Sequence, residues 1–454
     1  MKKIIPVLFI TLVVIIFFWQ FFIKGLLPIP SDTIIGLYHP FRDLYSKDYP
    51  NGIPFKNFLT TDPVRQQYPW RELVVSIEKK LELPLWNPYN FAGTPLLGNF
   101  QSAPFYPLNI LFLVMPFAVA WSLIIFLGPL LGGIFLFLYL DSLKLSKWAS
   151  VLGAITFSFS GFFVSWLEWG TIIHVGLWLP LVLLSIDKLI LSEKNLKWTF
   201  IYVFSLVSSF FAGHLQIFFY LFIFSNIYFL ARWMQCKLRR QILFLFIILN
   251  SLFIVLSSIQ WIPTLQFIVL TARNVDANGF NRPGWFIPWE NLIQFVAPDF
   301  FGNPTTLNYW GVWNYGEFVG YIGIIPLILA LFSLLFRRDK KTLFFGIFFF
   351  LSLVFSFPTF FAEIPYLLKI PFFNTAQPTR LLFITTFSLT VLAALGFDYL
   401  LRLKRKIPII YPLICMSIIL AGLWIFIPNE HMSVVKNNLL LPTFIFISSS
   451  ILFL

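Results

Sequence analysis

The sequence predicts an all-α polytopic membrane protein with about twelve transmembrane helices. Three observations predict it. Of the 454 residues, 59% are hydrophobic and only 11% are charged, outside the range of soluble domains. Apolar runs of bilayer length recur from one end of the chain to the other. Basic residues gather in every second connection between those runs, as membrane orientation requires. The formal charge of +13 therefore points to a membrane surface and not to nucleic acid. Cys236 and Cys415 lie in or beside predicted spans and form no disulfide framework. There is no P-loop, no GxGxxG and no Cys/His metal spacing, so no cofactor is expected from motifs. The many phenylalanines suit a lipid-facing surface and carry no functional weight.

Lys2 and Lys3 precede the run 4–23, which has no small-residue cleavage site after it and reads as a retained first helix with a cytoplasmic N-terminus. A long polar stretch, 28–109, follows. The next run, 110–140, is interrupted by Pro116 and Pro129, so its start is expected at the interface ahead of the true helix. Further spans are expected near 148–167, 171–190, 197–212, 215–233, 241–261, 319–336, 342–360, 380–400, 407–427 and 441–454. Five connections are basic: Lys144/Lys147; Lys188/Lys194/Lys197; Arg232/Lys237/Arg239/Arg240; Arg337/Arg338/Lys340/Lys341; and Arg402/Lys404/Arg405/Lys406. Their strict alternation assigns them to the cytoplasm and places 28–109, 262–318, 361–379 and 428–440 outside. The chain is expected to be one transmembrane domain in the plasma membrane. The final run stops at Leu454 without a basic flank, so a longer C-terminus is expected.

Charge is scarce in the middle of the spans, whereas ion-coupled transporters keep ionisable groups near the midplane. Polar chemistry collects instead in 28–109, with Asp32, His39, Arg65, Gln66, Gln67 and Gln101, and centres on TTDPVRQQYPW. Two readings stand for Asp62. Asp before Pro is a helix-start signal, the carboxylate capping free N–H groups. A carboxylate beside Arg65, Gln66, Gln67 and Tyr68 also suits a base that deprotonates a hydroxyl and holds a sugar. Trp70, Leu73, Val74, Ile77 and Leu81 recur at helical spacing, which fits either an interfacial helix or a packed one. Trp86, Tyr89, Phe91, Phe105 and Tyr106 suit an interface belt before a sugar platform. The loop 262–318 repeats that pattern with Trp285, Trp289, Trp310 and Trp313, plus Arg273, Arg282, Asp299 and Glu317. Arg380 stands at the outer start of its span, either to snorkel or to clamp a phosphate. Glu168 and His174 flank one tight outer turn, and His214 and Gln216 occupy another.

The segments DPVRQQYPW, LPLWNPYNFAGTPLLGNFQSAPFYPLNIL, FSFSGFFVSWLEWGTIIHVGLWLPLVLL, AGHLQIFFY, FVAPDFFG, EFVGYIGIIPLILAL and NTAQPTRLLFITTFSLTVLAALGFDYL resemble the YfhO-type bacterial membrane protein family, which is placed with the GT-C glycosyltransferases. The resemblance implies a GT-C-like fold with a large, partly helical first extracytoplasmic loop. It implies an inverting-type transfer of sugar from a polyprenyl-phosphate carrier to a cell-envelope glycan or polymer. Asp62 would then be the catalytic base and Asp32 its competitor. His39, Arg65, Gln66, Gln67, Gln101, Glu168, His174, His214, Gln216, Arg282 and Arg380 would bind substrate. A divalent metal is the one cofactor the resemblance admits; membrane lipids are partners and nucleic acid is not. Adjacent paired carboxylates, present in some enzymes of that class, are lacking here. A lipid-linked glycan flippase and a non-catalytic envelope assembly factor are the competing readings. The first requires a polar path between leaflets, and the second tolerates substitution at Asp62.

Overall fold

A computed structural model describes residues 3–50, 60–191, 196–236, 239–271, 279–312, 314–403 and 407–453. Lys194, Lys237, Arg273, Trp313, Lys404, Arg405 and Lys406 lie outside the described residues. The described chain is mostly helical. Its sheet is a two-residue antiparallel pairing, Trp86 with Pro95 and Asn87 with Thr94, in the first long loop.

Among the described residues seven helices are long and apolar enough to cross a membrane, and eight if the bent pair Lys340–Ser356 and Phe360–Leu367 is one span. Four of the twelve predicted runs form shorter apolar helices: Ile4–Phe17, Leu196–Phe211, Ile324–Phe336 and Ile410–Ile425. At about 1.5 Å per residue, their 13 to 16 residues fall short of a ~30 Å hydrocarbon core. The sequence accounts for two of these. The first run breaks at Phe18 before resuming as Trp19–Lys24, and the run from 319 becomes helical only after Gly323, which adopts φ +98°. The opposite correction applies at Pro263. It lies inside the Arg239–Ile268 helix, so the second large loop begins about one turn of helix or more beyond 262. Spanning helices tolerate such a proline because neighbours re-satisfy the freed carbonyl.

The helix Leu382–Arg402 is the centre of the bundle, packed by Ile324–Phe336, Lys340–Ser356, Lys147–Ser158 and Leu215–Trp233. The span that contains it is 89% buried, against 28% for Arg240–Ile268, many of whose apolar side chains are exposed. Gly396 permits the closest approach: a Cβ there would stand 2.0 Å from the Leu329 carbonyl oxygen.

The described parts of the five basic connections meet at one end. Asp398 accepts from Arg402 (3.0 Å), Arg337 (3.4 Å) and the Ser146 amide (2.8 Å), and Arg402 also donates to the Lys144 carbonyl. Asp187 binds Arg232 at 2.6 Å and lies within electrostatic reach of Lys341. The long loops gather at the other end. There Tyr68–Glu78 forms a helix with Arg71, Val74 and Val75 buried; Val75 packs with Phe112 and Trp121, and Tyr68 meets the Phe117 and Trp121 rings. The packed reading of this segment therefore holds, but the helix stops at Glu78. Leu81, expected on its apolar face, has φ 61° and is 96% exposed. As expected, the next run starts with a short helix, Ile110–Val114, and breaks at Pro116 before Phe117–Ser142 begins.

Candidate functional site

Pro378 opens a 3-10 turn, Pro378–Leu381, that feeds the central helix and sets Arg380 at its outer start. Arg380 is held on three sides. Its Nη2 and Nε donate to Glu317 Oε1 (2.8 Å) and Oε2 (3.3 Å), and Thr379 Oγ1 donates to the same Oε2 at 2.7 Å. Arg380 Nη1 lies 2.6 Å from His214 Nε2, and the guanidinium sits over the Trp166 ring, 4.7 Å from its centroid. The Ile217 amide also approaches His214 Nδ1, at 3.2 Å. A neutral imidazole has one bare nitrogen, so the two contacts compete. Gln216 ties this turn to the next by donating to the Gln377 carbonyl and to Tyr220 Oη. The side chains of Arg380 and Glu317 are 12% and 3% exposed, so the pair is largely withdrawn from water. A guanidinium has five N–H groups. Three are committed here, and the other two have no hydrogen-bond partner among the described residues.

The first-loop carboxylates connect to this cluster through the stretch Trp166–Trp169. Asp62 precedes a five-residue π-helical turn, Pro63–Gln67, and makes no capping hydrogen bond. The capping role open to it from sequence is thus not realised: its half-buried carboxylate accepts from Gln66 Nε2 at 3.3 Å. Single π-helical turns are concentrated at functional sites. This one packs against the turn Leu167–Trp169. Glu168 in that turn is half-buried, and burial, helped by the nearby charge of Asp32, raises its pKa from 4.5 to about 7. Gln67 donates to Gln101 at 2.8 Å. Gly213, at φ +95°, lets the His214 turn close on Phe100–Ala103; a Cβ there would meet the Ala103 Cβ at 2.8 Å. The stretch Trp166–Trp169 is the wall shared by both halves, with Arg380 stacked on Trp166 and the Asp62 turn packed on Leu167–Trp169.

Residues 95–454 match the family model described as bacterial membrane protein YfhO. The chain belongs to this family. No curated protein and no solved structure matches it. The matched region holds Gln101, Glu168, His214, Gln216, Glu317 and Arg380, and it begins after Asp32 and Asp62.

Other sequence candidates of the YfhO chain take no part in these contacts. His39 is exposed and pairs with Asp43 at 2.5 Å; Arg65 is exposed with its guanidinium 5.7 Å from the Tyr38 ring centroid; and Arg282 lies on the exposed stretch after Gly279–Asn281. His174 is 1% exposed: Tyr106 Oη donates to its Nδ1 (2.9 Å), and its Nε2 donates to the Ile124 carbonyl (2.8 Å). With both nitrogens engaged inside the protein, it belongs to the floor of the loop and not to a substrate surface. Arg71 is in that floor too, fully buried. Its Nη1 donates to Asn109 Oδ1 at 3.4 Å, its guanidinium lies 5.7 Å from the Trp121 ring centroid, its Nε and Nη2 have no hydrogen-bond partner among the described residues, and burial lowers its pKa to about 10. Among the described residues no three His, Cys, Asp or Glu side chains stand close enough to share a metal ion, so no residue set for a divalent metal can be named.

Glu317 is the member of this cluster that sequence reasoning left among the loop charges. Its partner Arg380 is 63 positions away, and no local pattern links them. The available signal was a lone acid, before FVGYIG, in a chain with few acids near its outer helix ends.

Proposed function

We propose that this YfhO protein is a membrane glycosyltransferase that moves a sugar from a polyprenyl-phosphate carrier to an extracytoplasmic acceptor, a cell-envelope glycan or polymer, with inversion at the anomeric carbon. One observation carries the reading. A partly buried guanidinium with N–H groups to spare shares a wall, Trp166–Trp169, with the turn that bears Asp62. The convergence of basic connections at the opposite end supports a cytoplasmic N-terminus and an extracytoplasmic site, in the plasma membrane. The resemblance to GT-C enzymes supports the reaction class.

In this mechanism Asp62 takes the proton of the acceptor hydroxyl as that oxygen attacks the anomeric carbon. The bond to the carrier phosphate breaks, and its electron pair leaves on the phosphate oxygen. Arg380 stabilises the charge left there, with Glu317 and His214 fixing its fork beforehand. Asp32 is the alternative base, and Gln66, Gln67, Gln101 and Glu168 are the nearby groups for sugar hydroxyls. Purified protein in liposomes with labelled polyprenyl-phosphate sugars tests this. Label leaving the lipid for an acceptor supports a transferase. Label that crosses the bilayer still attached to its carrier identifies a flippase and overturns the proposal.

A further inference from the structure

An apolar cavity of about 460 Å³ lies between the Leu215–Trp233 helix, the central helix and the bent pair Lys340–Ser356 and Phe360–Leu367. That volume is within the ~300–1,000 Å³ range of ligand pockets. Phe224, Phe348, Phe355, Phe361 and Tyr366 supply much of the wall, and no charged side chain lines it. Its few polar groups are spoken for. Tyr220 Oη accepts from Gln216, Tyr366 Oη donates to the Ala376 carbonyl, and Ser352 exchanges a hydrogen bond with Thr385. A cavity with no unmet hydrogen-bonding group holds hydrocarbon in preference to water.

The cavity exists because the span is broken. The two helices of the pair meet at 65°, with Pro358 in the break. The Ser356 carbonyl, freed at the break, accepts from the Ile287 amide (2.9 Å). The outer loop thus satisfies backbone that would otherwise face hydrocarbon unpaired. Phe280 stacks on Tyr366, and Trp285 meets the same ring edge-on, which roofs the cavity from the outer side. The rim on the membrane side is exposed and apolar: Leu351, Phe355 and Phe361 are 45%, 37% and 58% exposed. The mouth therefore opens sideways toward lipid. At the other end, Pro378 and Leu381 line the cavity, and they bracket Arg380 within a single 3-10 turn.

We propose that this cavity receives the first isoprene units of the polyprenyl phosphate, entering sideways from the bilayer, while Arg380 holds the phosphate one turn away. The proposal rests on the reading of the site as one for a lipid-phosphate donor. Its occupant is an isoprenoid chain; an ordinary lipid acyl chain is the competing outcome of the test.

The test measures binding, which requires no transfer. The protein in detergent is titrated with undecaprenyl phosphate, dimethylallyl phosphate and dioleoyl phosphatidic acid, and bound species are counted by native mass spectrometry. The variant is Leu351→Trp, which fills the mouth from an exposed position and leaves the core intact; Leu351→Ala is its control. Undecaprenyl phosphate should bind wild type best, and Leu351→Trp should weaken it by about tenfold or more, the loss expected from about two unburied methylenes. Dimethylallyl phosphate should be unchanged by Leu351→Trp and weakened by Arg380→Gln, and Leu351→Ala should behave as wild type. An equal Leu351→Trp effect on short and long chains, no effect on either, or phosphatidic acid binding as tightly as undecaprenyl phosphate each overturns the tail site. Chain-dependent binding with no sugar transfer leaves the tail site standing and removes the glycosyltransferase reading. Transfer that is unaltered in Leu351→Trp does the reverse.

Discussion

Removing either member of the Arg380–Glu317 pair should be among the most costly single changes at the outer end of this protein. Glu317→Ala deletes the acceptor of three hydrogen bonds, at 2.7, 2.8 and 3.3 Å, and leaves a guanidinium 12% exposed with only His214 and the Trp166 ring as partners. Breaking a buried pair from one side typically costs about 3–5 kcal/mol, or roughly two to three and a half powers of ten in the folding equilibrium. Arg380→Gln leaves a buried carboxylate with Thr379 alone and should cost a similar amount. The informative quantity is the coupling. Glu317→Ala/Arg380→Gln removes both charges, so its cost should fall below the sum of the singles by about 1–3 kcal/mol. Unfolding of the four proteins in mixed micelles measures this. Additivity to within about 0.5 kcal/mol would refute the claim that the pair is buried and mutually dependent.

Gly213→Ala should lower stability by about 1–3 kcal/mol, read as a fall in Tm, because its Cβ meets Ala103 in a left-handed turn. Glu168 and Glu78 are both pushed by burial from 4.5 to about 7, so the folded protein holds their protons where the unfolded chain releases them. Their contribution is complete below about pH 4.5 and is lost as pH rises through about 7. Tm should therefore fall across that window, and Glu168→Gln/Glu78→Gln should flatten the fall; an unchanged pH profile would count against their burial. Arg71→Met should leave Tm unchanged or raise it, since it replaces a buried charge two of whose nitrogens make no hydrogen bond among the described residues. A large fall in Tm would show that the Trp121 ring, 5.7 Å from the guanidinium, and Asn109 more than offset that burial.

The strict alternation of basic connections made the ends of the bundle legible from sequence, because that signal depends on where Lys and Arg sit and not on exact helix limits. Helix limits were less legible. Apolar composition continues through Phe18 and the stretch before Gly323, where the backbone breaks, and does not stop at Pro263, where the helix continues. At the candidate site, sequence located the Asp62 turn, Glu168, His214, Gln216 and Arg380 near the outer boundary. It did not pair Arg380 with Glu317, because contacts between distant helix ends leave no periodic trace. His174 illustrates the reverse error. A histidine beside an outer turn looks accessible in one dimension, yet Tyr106, from the loop above, covers it. Arg71 was legible as a loop charge, but its burial follows from Val74 and Val75 turning that helix face inward.

The most direct test of the account is the single-turnover rate of sugar transfer from a labelled polyprenyl-phosphate donor in proteoliposomes, compared among wild type, Asp62→Asn, Asp32→Asn and Arg380→Gln. Asp62→Asn should bind the donor as wild type does and transfer its sugar about 10²–10⁴-fold more slowly, the usual worth of a general base. Transfer at the wild-type rate in Asp62→Asn would contradict the central claim, and a loss confined to Asp32→Asn would move the base to Asp32.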